Sequence, residues 1–231
     1  MRVLWPVVVA FAVVSWTTEE KGFLSASGGS LQQRPLGATA AGGAVEGVVR
    51  LNTPRVPGPT RVENTTDPAV CGRSHTLEDL VVSPTTKGVA HAIVALEDVP
   101  PQRTPQSTMP GRLVFDNRDC RFVPHAAVLT VGSVAEILNS DPTLHTVHLY
   151  GPADVNIALP LQGMKVTQRL ERPGMVVVKC DVHGWMQAFI RVDQHPFHAV
   201  TDTSGVFRIT GIPPGDYTLG VWHEKLGTQE R

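Results

Sequence analysis

Charge is scarce in this sequence and cancels: 18% of residues are Asp, Glu, Lys or Arg, 20 of them basic against 21 acidic, for a formal net charge of -1. The basic field that would gather a nucleic acid is missing, and so is any Lys/Arg run interleaved with aromatics on which bases could stack. Nucleic acid is therefore excluded as a partner. Long apolar runs are missing as well. The one candidate, Val3 to Trp16, falls short of the roughly 20 residues that span a bilayer, so no membrane span is expected beyond this segment as a signal or anchor. No stretch shows the sustained 3.6-residue period of a long helix. Cysteine is rare, with 3 in 231 residues, which excludes a densely cross-linked small scaffold.

With 42% hydrophobic residues, the chain can bury one large core or two small ones. A single Arg followed by the apolar run reads as an export signal over residues 1–22, although no tidy A-x-A site follows within a few residues. A buried strand and an uncleaved anchor are the alternatives. Residues 23–43, rich in small residues and without apolar periodicity, read as a flexible leader. The expected location is periplasmic or secreted. An odd cysteine count in an exported protein implies one disulfide and one thiol with separate work. Cys71 and Cys120 sit in polar, loop-like contexts, whereas Cys180 ends an apolar strand, so the first two are expected to pair. Closing a loop of about 50 residues should contribute roughly 4 kcal/mol.

From residue 44 onward the pattern is β throughout: 44–51, 89–96, 112–116, 126–131, 134–138, 145–150, 165–170, 175–180, 186–192, 205–209 and 216–222, most of them short and bounded by Gly, Pro, Asn or Asp. This is an all-β chain of the sandwich or barrel kind. The Pro-rich stretches 52–68 and 97–111 cannot supply ladder donors and are expected as surface loops. Asn64 begins a glycosylation triplet, Asn-Thr-Thr.

The chemistry gathers in "MVVVKCDVHGWM", residues 175 to 186. Strict alternation puts Val176, Val178 and Cys180 on one face of the strand. His183 and Met186 follow on a tight loop, so thiolate, imidazole and thioether form a soft donor set that favours copper over hard cations. A blue-copper site needs two imidazoles and a thiolate in one plane plus a weak axial thioether, so a second imidazole must come from elsewhere. "NSDPTLHTVHLYG", residues 139 to 151, offers His145 and His148. Three residues apart on an extended strand, they face opposite sides, and only one can reach the metal. His145, at the mouth of the strand, is the expected ligand. His148 is left as a neighbour of the site, a surface residue or part of a separate site. His125 is expected at the surface, with an approach to the site or a second metal as its other roles; His198 is a weaker candidate beside it, and His195 and His223 are expected to be structural.

The pair "LHTVH" and "CDVHGWM" resembles the cupredoxins, of the amicyanin and plastocyanin type, and the likeness spans roughly residues 112 to 193. The resemblance implies a Greek-key sandwich binding one copper per chain, with His145, Cys180 and His183 equatorial and Met186 axial. Thr146 stands where that family has an Asn that braces the ligand loop, and Leu144 replaces the usual Pro.

The tail "TDTSGVFRITGIPPGDYTLGVW", residues 201 to 222, writes out a hairpin around Pro213-Pro214-Gly215. It resembles the carboxypeptidase regulatory-like, transthyretin-like β-sandwich, whose opening strands are similar to "GAVEGVV" (43–49) and "GVAHAIVAL" (88–96). The implied organisation is one discontinuous small sandwich, residues 44–98 and 196–231, with a cupredoxin-like copper domain, 99–195, inserted at a loop. That family carries at least one strand after the hairpin, so the sandwich is expected either open at its edge or cut short.

The function these observations imply is single-electron transfer by an exported copper protein, between redox proteins that the sequence does not identify, with Trp185 either as a contact for a partner or packed into the core. The alternative is a non-redox module binding carbohydrate or protein, or a copper store, using the same fold as scaffold. An enzyme is not expected: Lys179 and Asp181 flank Cys180, where copper oxidases built from cupredoxin repeats have histidines.

Overall fold

Period-two alternation of apolar residues, punctuated by Gly and Pro, leaves strands as the only elements that can bury one face. The computed structural model describes residues 7–11, 42–104 and 110–230. In chain order its strands are β1 (Val7–Phe11), β2 (Gly43–Leu51), β3 (Arg61–Glu63), β4 (Ser74–Thr76), β5 (Ile93–Glu97), β6 (Arg112–Arg118), β7 (Arg121–Val123), β8 (Ala126–Thr130), β9 (Val134–Asn139), β10 (His145–Tyr150), β11 (Val155–Leu159), β12 (Lys165–Arg169), β13 (Gly174–Lys179), β14 (Gln187–Asp193), β15 (His198–Val200), β16 (Val206–Ile212), β17 (Thr218–His223) and β18 (Gly227–Glu230). A four-residue helix, α1 (Pro68–Cys71), and one 3-10 turn at Pro101–Arg103 are the helical structure among the described residues. No helix among them is long and apolar enough to cross a membrane.

Two sheets, ordered β11-β10-β13-β14-β8 and β12-β9-β6-β7, enclose one core. Phe115, Phe122, Ile137, Val147, Leu149, Leu159, Val176, Val178 and Ile190 lie in it, all essentially inaccessible to solvent. Two other sheets, β1-β2-β16 and β15-β5-β17-β18, enclose a second core of Val49, Leu51, Val94, Leu96, Phe197, Phe207 and Ile209. Strands that precede the β6–β14 run in sequence pair with strands that follow it: β2 with β16, and β5 with β15 and β17. The close return requires glycine at Gly205, whose φ of +80 and proximity to the Val49 carbonyl leave no place for a side chain.

The sandwiches meet through the outer faces of β5, β8 and β14. Ile93, Ala126 and Phe189 form a third apolar cluster there, with Trp222 edge-on to Phe189 at 4.9 Å. Arg191 fixes the join with two bonds of 2.9 Å to Glu97 and another of 2.9 Å to Asp193.

Several details differ from the sequence expectation. The strand expected at 89–96 starts only at Ile93, because His91 sits at φ 61 in a turn. The loop expected at 52–68 contains β3, which pairs with β4. Edge strand β18 follows the 216–222 strand and pairs with β17. Within the expected export signal, Val7–Phe11 is a strand paired antiparallel to Gly47–Leu51. The rest of that segment and residues 23–41 lie outside the described residues.

Candidate metal centre

Lys179 ends β13, and Cys180 is the next residue, still on the face of Val176 and Val178 and only 4% exposed. The chain then loops back at once: the Met186 N–H donates to the His183 carbonyl at 2.9 Å, and the Cys180 N–H to the Met186 carbonyl at 3.3 Å. That closed loop carries His183 and delivers the chain into β14. His145 opens β10, which pairs with β13 from His148↔Lys179 onward, so the mouths of the two strands lie side by side.

Three donor atoms converge there. Cys180 Sγ lies 4.0 Å from His145 Nδ1 and 3.7 Å from His183 Nδ1, and the two Nδ1 atoms are 3.0 Å apart. Three donors held at about 2.0–2.3 Å from one ion in a plane would be roughly 3.5–3.8 Å apart. The residues present fit a small soft cation, one thiolate and two imidazoles with both histidines at 0% exposure. Met186 is buried against the same core at 2% exposure.

The surroundings fix the chemistry of these atoms. His145 Nε2 lies 2.9 Å from Asp141 Oδ2, and His183 Nε2 lies 3.2 Å from Asp67 Oδ2. With a metal ion on Nδ1, a carboxylate on each Nε2 would hold the ring proton there and fix the ring's orientation. Asp141 is itself held by the backbone N–H groups of Asp119 and Cys120, at 2.8 and 2.9 Å. Burial pushes the Cys180 thiol up, but hydrogen bonds from His145 and His183 and from the backbone of Thr146 and His183 outweigh it, bringing the pKa down to about 5. Cys180 is thus a thiolate at neutral pH. Burial opposes a charge on His183, yet its bonds to Cys180 and Asp67 raise its pKa.

Thr146 braces the loop as an Asn would. Its N–H lies 3.4 Å from Cys180 Sγ, and its Oγ1 accepts the Asp181 N–H at 2.7 Å. His148 faces away from the donors: its ring stacks on Tyr150 at 3.9 Å and its Nδ1 lies 3.2 Å from Asp181. His125 is not at the surface. It is 8% exposed, bonded to Glu224 from the other sandwich and edge-on to His91 at 5.1 Å, because packing of the sandwiches covers it; it stands apart from the donor cluster. Trp185 does not stand clear of the surface either. Half-buried, it donates Nε1–H to the Cys120 carbonyl at 3.0 Å and stacks on His75 at 4.3 Å, with the His183 ring tilted against it at 5.0 Å. Cys71 and Cys120 form a disulfide, and Cys180 is free.

No protein-family model matches the chain, and no curated protein matches it. Solved structures are similar to parts of it. A copper-containing nitrite reductase from Thermus scotoductus is 22% identical over 36% of this chain, which spans only 23% of that protein, with a TM-score of 0.32. A purple cupredoxin from Nitrosopumilus maritimus is 17% identical over 36% of this chain and 99% of its own, with a TM-score of 0.31. A reduced amicyanin variant is 19% identical over 39% of this chain and 97% of its own, also with a TM-score of 0.31.

Sequence reasoning missed several residues behind this donor set. Asp67, Asp141 and Thr143 look like ordinary turn residues. One signal was available for Asp141: "DPTLH" (141–145) sets an Asp-Pro turn four residues ahead of His145. An Asp-Pro turn brings a carboxylate back toward the residue that closes it.

Proposed function

We propose that the chain is an exported type 1 copper protein that carries single electrons between redox partners. His145 Nδ1, Cys180 Sγ and His183 Nδ1 would hold the metal, with the Met186 thioether as a further soft donor. Bound there, copper supplies a Cu(II)/Cu(I) couple and an intense thiolate absorption. The observation that carries this reading is the convergence of two Nδ1 atoms and one thiolate, all buried, within 4.0 Å.

The protein groups do the rest. The Asp141 and Asp67 carboxylates hold the imidazoles in one tautomer, the Thr146 N–H steadies the thiolate, and the closed 180–186 loop limits movement of the donors between oxidation states. With exposures of 0–4% at all four residues, no open position faces a substrate, which favours a carrier over an enzyme. The disulfide fits an oxidising compartment, periplasmic or secreted. Segments 44–98 and 196–231 form the transthyretin-like unit, here a scaffold for the copper domain at 99–195.

Absorption and electron paramagnetic resonance during titration of the purified chain with Cu(II) test this. The expected result is one intense red-region thiolate band saturating at one copper per chain and absent from Cys180→Ser. Copper binding that survives Cys180→Ser unchanged would refute it.

A further inference from the structure

His183 is fully buried, and two of the residues that close around it come from outside the strands that carry the ligands. Asp67 and Cys71 belong to the turn between β3 and β4. Asp67 Oδ2 lies 3.2 Å from His183 Nε2, and Cys71 Sγ lies 3.7 Å from the same nitrogen. Asp67 Oδ2 also accepts the Thr143 hydroxyl at 2.7 Å, two residues ahead of His145. One carboxylate oxygen therefore bridges the loops that deliver both imidazoles.

Two features hold that carboxylate in place. Asp67 occupies the left-handed region at φ 48 and ψ 46, a rare conformation for a non-glycine residue and one its position before Pro68 further disfavours. Such strain persists only where the surroundings over-determine it. They do so here: the Val70 and Cys71 N–H groups donate to the Asp67 carbonyl at 3.0 and 2.8 Å, and the disulfide pins the turn to Cys120. Cys120 in turn donates its N–H to Asp141, the partner of His145. The disulfide thus joins the two carboxylate-bearing loops.

We infer that Asp67 is a positioning residue of the copper site, and that the disulfide-pinned turn 67–71 is the cap that completes the site from outside the cupredoxin-like strands. Asp67 fixes the tautomer of His183, adds negative charge beside it, and closes its outer edge to solvent. The charge favours the more positive oxidation state of a metal held there, so it lowers the reduction potential. That consequence rests on the copper reading; the closure of the site does not.

Two measurements separate them. On metal-free protein, alkylation of Cys180 by iodoacetamide should be slow in the parent and about tenfold faster in Asp67→Ala and in the disulfide-free double variant Cys71→Ser/Cys120→Ser, as a buried thiolate gains access. Thr143→Val, which removes only the second anchor of Asp67, should also speed alkylation, to a smaller degree, and it serves if the other variants fold poorly. On copper-loaded protein, Asp67→Asn should raise the midpoint potential and Asp67→Glu should bring it back toward the parent value. Unchanged alkylation in all three variants would overturn the cap, and a potential unmoved by Asp67→Asn would overturn the positioning role. Slow alkylation in the parent together with no thiolate band on copper addition would sink the copper reading while leaving the cap intact.

Discussion

The molecule buries histidines in two places, and their fates differ. At the metal centre His145 and His183 each have a carboxylate of their own, and the pKa of His183 is raised despite complete burial. Where the sandwiches meet, His91, His125 and His223 crowd together around Glu224, which bonds His125. There burial, with the neighbouring imidazoles adding to it, lowers the His91 pKa and takes that of His223 down to about 4, and His223 Nε2 has no side-chain hydrogen-bond partner among the described residues. Burial alone does not decide the state of an imidazole. The partners that share the desolvated space decide it.

The largest effect that would break this contrast is at Asp141. It accepts from two backbone N–H groups and from His145 Nε2, so Asp141→Ala strands three donors, two of them buried. Denaturant unfolding of the metal-free protein should show a loss of roughly 3–5 kcal/mol; a loss below about 1 kcal/mol would mean the loop repacks without its anchor.

Next comes acid sensitivity from the interface. The His223 pKa is lower folded, about 4, than the roughly 6.5 of an unfolded histidine, so the unfolded chain binds more protons between those values. Its contribution is present above about pH 6.5 and is lost as pH falls toward 4, a change on the order of 3 kcal/mol. In His223→Asn, whose side-chain oxygen can still accept the Lys225 N–H, the slope of stability against pH in that window should flatten. An unchanged slope would assign the acid sensitivity to other groups.

The smallest effect is expected at His148, two positions along the strand from Thr146 but on the solvent side. His148→Ala should cost no more than about 1 kcal/mol and leave copper binding intact. Loss of copper in that variant would reverse the assignment of the two strand histidines.

Much of this was legible because a strand enforces period two. In "HTVH" the alternation separates His145, at 0% exposure, from His148, whose side chain is 26% exposed. In "MVVVKC" it turns Cys180 inward beside two fully buried valines. The spacing of Cys180, His183 and Met186 announces a closed loop, and the loop is there. What escaped the sequence depends on contacts between remote segments. Nothing local in "TTDPAVC" says that its aspartate meets a histidine beyond residue 180. The burial of His125 is imposed by a second sandwich packing over it. The short strands β3, β4, β7, β15 and β18 have three or four residues each, too few for alternation to register.

X-ray absorption at the copper edge of the loaded chain tests the central claim most directly. The account predicts a short copper–sulfur distance near 2.2 Å with two nitrogens at about 2.0 Å, the sulfur shell vanishing in Cys180→Ser. A shell of nitrogen and oxygen alone, the same in parent and variant, would contradict it.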